Sequence, residues 1–520
     1  MLAERTPPAP GTGPAPLARA GLWAAALAAL GLAHLLLFPT LWDDAFIAFR
    51  VAGNWARTGL PVYNPGELQP VATSWLWLTL LAGAHKLSGL GLPACAQLLG
   101  GAAGLAAPLL LFAYAWSRGE RFTGVAAALL CLASGAWAAW PLSGLETSVF
   151  GLWLLAAALL VLVHLEAPNP AALLAAGVGF GLAALTRPLG NWLWLLAWGF
   201  VLARRPGRWR EWGLLAAGYA LTVLPGWLLQ AGLYHTLLPN AFYAKINGPE
   251  NLRQGWNYVR HFAATYRLLY FVPFLLPLLG AGELRLRAGF LATLLLGQTL
   301  WVAAAGGDFM PYARFLSPGW PLFCLLAAFG LAALQRAWVR IFRGLPAAWS
   351  RAVAAVVTVF LALAVLLPSF TGPDRARAAS WALEEQDRAA VGRWLGRNFP
   401  PSTLLAVKPA GIIPYYSGLR AVDFYGLADR EAARRGSWIQ ENWPGHQRVN
   451  VGAVLARRPG LVILDEHLDP PGQEPDSANG PGAVERQWRA DARSRDYAPA
   501  QAEILPGRWL HYFTRQEAVP

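Results

Sequence analysis

The sequence predicts a polytopic α-helical membrane protein with a soluble α/β domain at its C-terminal end. Three observations carry that expectation. Hydrophobic residues make up 56% of the 520 positions and charged residues only 14%. Apolar stretches of about twenty residues, the length that crosses a bilayer, recur between residues 21 and 369. After residue 371 charge and proline rise, and no stretch is long and apolar enough to cross. The net charge of +13 does not mark a nucleic-acid binder, because Arg204, Arg205, Arg208, Arg210, Arg285, Arg287, Arg336, Arg340 and Arg343 lie in short loops between apolar stretches. That is the positive-inside pattern of a membrane protein. Membrane lipids are the expected surroundings; nucleic acid is not an expected partner.

Residues 1–20 read as a cytoplasmic tail and 21–371 as the membrane domain. No small-residue cleavage pattern follows the first apolar stretch, so it is expected to be retained as an anchor. Candidate spans fall near 21–39, 73–90, 93–116, 122–140, 145–165, 171–185, 191–203, 211–230, 267–282, 288–305, 315–334 and 350–369. Placing the arginine-rich loops in the cytoplasm puts 141–147, 186–190, 231–265, 306–314 and everything after 371 on the opposite side. Twelve crossings conflict with a cytoplasmic N-terminus, so about eleven are expected, one of 73–90 and 93–116 failing to span. The protein is thus expected in the inner (plasma) membrane, with its site and C-terminal domain extracytoplasmic. Residues 372–520 form the soluble unit: a helical pattern over Arg377 to Arg397 and β-like runs at 403–407, 461–465 and 509–513. The Pro- and Gly-rich stretch 468–491 reads as a loop. Cys95, Cys131 and Cys324 all sit in apolar segments and give neither zinc spacing nor a disulfide framework.

Chemistry concentrates on one face. Asp43 and Asp44 follow the first span directly. Carboxylates cost several kcal/mol in hydrocarbon, so this pair belongs in the interface or a wet cavity. The following residues, with Phe46, Ile47 and Phe49 against Asp43, Asp44 and Arg50, read as an amphipathic helix along the membrane surface. A turn-rich loop through Tyr63, Asn64 and Glu67 returns the chain to the bilayer, so 42–72 forms an external loop. The other loops on that face place Glu146, Arg187, His235, Asn240, Tyr243, Lys245, Asp308 and Arg314 at span ends. Cations there suit a lipid phosphate, and a positioned Asp could take the proton from an attacking hydroxyl. Each residue has a plainer reading. Arg187 before Pro188 could snorkel, Glu146 could pair structurally with an arginine, Asp308 could cap a helix, and His235 could serve its own loop. No His–carboxylate spacing argues for a catalytic metal, although a divalent cation is left open as a cofactor.

The ordered set Asp43-Asp44-Ala45-Phe46-Ile47 with Arg50, Tyr63-Asn64-Pro65-Gly66-Glu67, Gly144-Leu145-Glu146-Thr147, Leu185-Thr186-Arg187-Pro188, Leu238-Pro239-Asn240 with Tyr243-Ala244-Lys245, and Gly306-Gly307-Asp308-Phe309-Met310 resembles the GT-C membrane glycosyltransferases. Within them it is similar to the mycobacterial terminal β-1,2-arabinofuranosyltransferase group. Ala410-Gly411-Ile412-Ile413-Pro414-Tyr415-Tyr416-Ser417-Gly418 in the soluble part agrees. The resemblance implies transfer of a sugar from a polyprenyl-phosphate donor to a glycan or lipid acceptor of the cell envelope. It makes Asp43 or Asp44 the base and Arg187, Lys245 and Arg314 candidates for the donor phosphate; adjacent residues on a helix point about 100° apart, so only one aspartate addresses the acceptor well, and Asp44 is slightly favoured. The soluble domain is then a candidate acceptor-binding unit, with Tyr415, Tyr416, Phe424 and Tyr425 either stacking faces or core. The alternative is a lipid-linked-sugar transporter without bond chemistry. That reading requires ionisable groups near the bilayer midplane, whereas here they gather at span ends.

Overall fold

The computed structural model describes residues 14–71, 73–244, 250–275, 280, 282–342, 346–439, 448–470 and 482–516. Most of the expected N-terminal tail, Lys245, part of the 267–282 stretch and much of the 468–491 loop lie outside the described residues. Among those described, seven helices are long and apolar enough to cross a membrane: Leu17–Leu35, Leu92–Trp116, Thr147–Glu166, Trp209–Tyr234, Glu283–Ala305, Ser317–Ile341 and the apolar part of Ala348–Asn398. The protein is a multi-pass membrane protein. The expected eleven crossings include the shorter helices Arg121–Ala133, Pro170–Thr186 and Leu189–Arg204 and the partly undescribed 267–282 stretch. Of the doubtful early pair, Leu92–Trp116 is long enough, whereas Trp75–Ser88 has 14 residues. At 1.5 Å per residue that is about 21 Å, short of a hydrocarbon core of about 30 Å.

Small residues let these helices close up. A Cβ at Gly218 would lie 2.9 Å from Val178 N, and one at Gly177 would lie 2.9 Å from Tyr219 N, so Pro170–Thr186 and Trp209–Tyr234 touch backbone to backbone. Dispersion between such surfaces replaces the hydrophobic drive that lipid cannot supply.

The last span continues through Leu367–Ser369 into the long helix Pro373–Asn398, which leads to a five-stranded sheet. Its strands are β1 (Leu404–Val407), β2 (Arg420–Asp423), β5 (Leu461–Val462), β6 (Tyr497–Leu505) and β7 (Arg508–Arg515), in the order β2-β1-β5-β7-β6; β3 (Ser437–Trp438) and β4 (Arg448–Val449) pair separately. β1 runs parallel to β2 and β5, while β7 is antiparallel to β5 and β6. The three expected β-runs correspond to β1, β5 and part of β7. β6 was hidden by Pro499, which is tolerated because β6 is an edge strand.

The amphipathic stretch forms the helix Asp43–Thr58, but not lying open on the membrane as expected. Phe46, Phe49, Arg50, Val51 and Asn54 are all buried. One apolar cluster runs from Phe46, Phe49, Trp140 and Leu145 through Met310 to Leu405, Ile412 and Leu461. The helix is thereby held between the end of the bundle and the soluble domain.

Candidate active site

Three loops converge on the start of the Asp43–Thr58 helix at that junction, each shaped by its backbone. Gly144 has φ +80°, and a Cβ there would lie 2.8 Å from Ala45 Cβ and 2.9 Å from the Phe49 ring, so only glycine lets this turn press on the Asp43–Thr58 helix. Glu146 follows, immediately before the Thr147–Glu166 helix. Arg187 is extended (φ −148°, ψ 139°), as the residue before a proline must be, and it ends the Pro170–Thr186 helix. Arg314 follows two non-glycine residues in the left-handed region, Tyr312 (φ 59°) and Ala313 (φ 51°). Such backbone strain persists only where the surroundings enforce it.

These loops bring together Asp44, Glu146, Arg187 and Arg314. Arg187 Nε donates to Glu146 Oε1 at 2.7 Å, and its Nη2 donates to Thr147 Oγ1 at 3.2 Å. Arg314 Nη2 donates to the same Glu146 oxygen at 3.3 Å, while its Nη1 reaches Asp44 Oδ2 at 3.1 Å. Asp308 completes the group: its Oδ1 accepts from Phe309 N at 2.8 Å, its charge acts on both arginines, and its buried Oδ2 has no hydrogen-bond partner. Arg314 Nε is likewise buried without a partner. The side chain of Asp44 is 21% exposed, against 9% for Glu146. Of the two carboxylates paired with Arg314, Asp44 is therefore the one that an entering molecule reaches more easily.

Asp43 points elsewhere. Its carboxylate accepts from Gly411 N at 3.1 Å and Ile412 N at 2.7 Å, tying it to the start of the Ile412–Ser417 helix. A Cβ on Gly411 would collide with Asp43, which explains the glycine in that motif. Burial raises the Asp43 carboxyl to about 6, against the opposing pull of Arg388 and the Ile412 N–H.

The remaining expected site residues do not join the cluster. Arg50 donates to Tyr63 O (2.8 Å), Asn64 Oδ1 (3.1 Å), Leu419 O (2.6 Å) and Pro414 O. Glu67 accepts from Arg457 at 2.6 Å and Asn64 at 3.2 Å, and also from Arg420. Burial works to raise its carboxyl, but the bonds from Arg420 and Asn64 and the Arg457 charge outweigh it and hold the group below its usual range. Both residues act as clamps between the external loop and the soluble domain. Asn240 is buried, and its backbone N donates to Pro70 O at 2.8 Å; His235 is exposed at the end of the Trp209–Tyr234 helix. The ring of Tyr243 carries Arg434 at 4.7 Å. Among the described residues, no group of three or more His, Cys, Asp or Glu side chains is gathered in a metal-holding arrangement.

Sequence reasoning passed over Tyr258, Glu385 and Arg388. Tyr258 Oη accepts from Phe315 N at 3.1 Å, and its ring lies 2.7 Å from where a Gly307 Cβ would be, so it supports the loop that carries Arg314. Glu385 Oε1 accepts from Asp43 N and from Arg388 Nη1, both at 3.2 Å. Acidic residues within the helical pattern of 377–397 gave no local signal for that contact.

Comparison with known proteins places this architecture. A family model described as a domain of unknown function (DUF8728) matches residues 377–513, most of the soluble unit. No curated protein matches the chain in sequence. Among solved structures, ArnT from Cupriavidus metallidurans in the apo state is 14% identical with a TM-score of 0.61, over 97% of this chain and 98% of that one. The same protein bound to undecaprenyl phosphate gives 14% and 0.60, over 95% and 97%. The oligosaccharyltransferase AglB from Archaeoglobus fulgidus, in complex with an inhibitory peptide and a dolichol-phosphate, gives 13% and 0.51, over 94% of this chain and 74% of that one. The protein therefore shares its fold with ArnT and AglB over nearly its whole length.

Proposed function

We propose that the protein is a glycosyltransferase that moves a sugar from a polyprenyl-phosphate donor to a cell-envelope glycan or lipid acceptor outside the cytoplasm. The observation that carries the reading is the buried Asp44–Arg314–Glu146–Arg187 chain of ion pairs, with Asp44 its open end. Solved relatives in fold hold undecaprenyl phosphate or dolichol-phosphate, which supports a lipid-phosphate donor here. Arabinofuranose is the donor sugar that the sequence resemblance favours. The charge of the short arginine-rich loops supports an extracytoplasmic site in the inner membrane.

In this mechanism Arg314 and Arg187 hold the donor phosphodiester, and its single negative charge takes over the Arg314 contact with Asp44. Asp44 then accepts the proton of the acceptor hydroxyl. The oxygen bonds to the anomeric carbon as that carbon's bond to phosphate breaks, and the polyprenyl phosphate leaves with its charge neutralised by the guanidiniums. One base opposite one leaving group gives inversion. Lys245 remains a further phosphate candidate by family likeness.

The test is transfer of labelled sugar by purified protein from a panel of synthetic polyprenyl-phosphate donors, with Asp44→Asn and Asp43→Asn in parallel. Turnover with one donor, lost in Asp44→Asn while donor binding persists, supports the reading. Donor binding without turnover in any combination, with both variants like wild type, replaces it with the transporter.

A further inference from the structure

A cavity of 520 Å³ opens on the other side of the same helix end. Small-molecule sites commonly span about 300–1,000 Å³. Its wall combines Leu41 and Phe46, which bracket the aspartate pair in sequence, with Glu385, Gln386, Arg393 and Tyr416 from the soluble domain. Phe46 and Asp43, three apart on a helix, share one face, whereas Asp44 is turned about 100° away toward Arg314. The cavity and the arginine cluster therefore flank the first turn of the Asp43–Thr58 helix from different sides.

The lining has the character of a sugar site. Tyr416 supplies partly exposed aromatic surface, backed by the buried Phe46 with ring centroids 5.7 Å apart, and Arg393 lies 5.1 Å over the Tyr416 ring. Gln386 and Arg393 are exposed, and Glu385 Oε2 is a buried carboxylate oxygen without a hydrogen-bond partner. Sugar rings offer apolar C–H faces to aromatics and hydroxyls to amide, guanidinium and carboxylate groups. A phosphate would meet Glu385 beside Asp43, and a lipid tail would leave the polar wall unsatisfied. The other aromatics singled out from the sequence are engaged in packing: Phe424 is fully buried, Tyr425 packs on the domain core, and Tyr415 packs on Phe46 and Phe49.

We propose that this cavity is the acceptor subsite for a neutral oligosaccharide, one sugar of which stacks on Tyr416 while its hydroxyls bond Gln386, Arg393 and Glu385. The assignment rests on the glycosyltransferase reading and deepens it: with the cavity and the arginine cluster flanking the same helix turn from different sides, an acceptor held in the one and a donor phosphate held in the other can approach opposite faces of the donor sugar, as an inverting displacement requires.

The experiment titrates a fluorescently labelled linear arabinofuranose hexasaccharide, with a mannose hexasaccharide in parallel, onto the purified full chain. Wild type is compared with Tyr416→Ala, Tyr416→Phe and Gln386→Ala, and donor-dependent transfer to the same probes is measured on the same samples. Tyr416→Ala should weaken binding about tenfold, Tyr416→Phe should restore most of it, and Gln386→Ala should cost about three- to tenfold. The losses should appear in the acceptor KM, with kcat and donor affinity nearly unchanged. Because Gln386 is exposed, its variant folds whether or not Tyr416→Ala does. Wild type that binds neither probe, or variants that bind and transfer like wild type, would overturn the subsite. Tyr416-dependent binding without transfer from any donor would keep the subsite and defeat the transferase reading instead.

Discussion

Two arginines on either side of the junction are equally hidden, Arg50 at 8% exposure and Arg314 at 9%, yet they meet opposite company. Arg50 is surrounded by neutral acceptors, the carbonyls of Tyr63, Pro414 and Leu419 and the Asn64 amide oxygen. Arg314 meets the carboxylates of Asp44 and Glu146 and keeps one buried donor unpaired. Fixed carbonyls saturate a guanidinium permanently, because they cannot leave without stranding their own chain. Carboxylates at a partly open site can exchange places with an incoming anion. The first arrangement suits a structural clamp and the second a binding site, and burial alone does not distinguish them.

The largest expected effect tests the open end of the second arrangement. Asp44→Asn should lower kcat by about 10²–10⁴-fold, the range of a general base, with little change in thermal midpoint. Asp43→Asn should do the reverse, weakening the dock onto Gly411 and Ile412 and lowering the midpoint while a substantial kcat survives. Steady-state transfer and thermal unfolding on the same samples decide it. A catalytic loss confined to Asp43→Asn would invert the comparison.

Arg50→Ala comes next. It strands several buried acceptors at about 1–3 kcal/mol each, so a stability loss of about 3 kcal/mol or more is expected. Donor affinity of the folded fraction should match wild type. If thermal unfolding is unchanged and donor binding falls, Arg50 belongs with the site and the distinction fails. Arg187→Lys should have a smaller effect. The Arg187 side chain bonds Glu146 and Thr147 through separate nitrogens, which one ammonium does not reproduce, and donor Kd should rise about tenfold. An unchanged Kd would leave Arg314 to bind the phosphate without it.

The same contrast marks how far the sequence could be read. Charge at span ends was enough to gather Glu146, Arg187, Asp308 and Arg314 on one face, because positive-inside loops orient every crossing. It could not separate Arg50 and Glu67 from them. Their partners Pro414, Leu419, Arg420 and Arg457 lie more than 340 positions away in the chain, and no local pattern encodes that pairing. Adjacent aspartates were expected to diverge by helical geometry alone, but the Asp43 partner is a pair of backbone N–H groups whose access depends on Gly411. The long helices and β1 followed from periodicity. The Asp43–Thr58 helix was read correctly as amphipathic and wrongly as surface-lying, since a hydrophobic face does not say whether lipid or protein will cover it.

The smallest expected effect concerns how the Arg314 loop is braced. The Asn251–Thr265 helix carries Tyr258, which accepts from Phe315 N, and also His261, whose Nε2 lies 3.5 Å from the buried Asp374 carboxylate. The Asp374 hydrogen bond raises the His261 imidazole above its ordinary value, with burial opposing. A group whose folded pKa is raised stabilises fully below its unfolded pKa, about 6.5, and loses that contribution as pH rises through the folded value. Hydrogen-exchange protection of 251–265, corrected for intrinsic rates, should therefore be greater at pH 6 than at pH 8. His261 is 49% exposed, so solvent screening keeps the effect modest. His261→Gln should remove the pH dependence and leave the helix in its weaker, high-pH condition throughout. If the variant shows the wild-type pH profile, the brace is set by Tyr258 and packing alone, and the Arg314 loop has no proton-linked support from this helix.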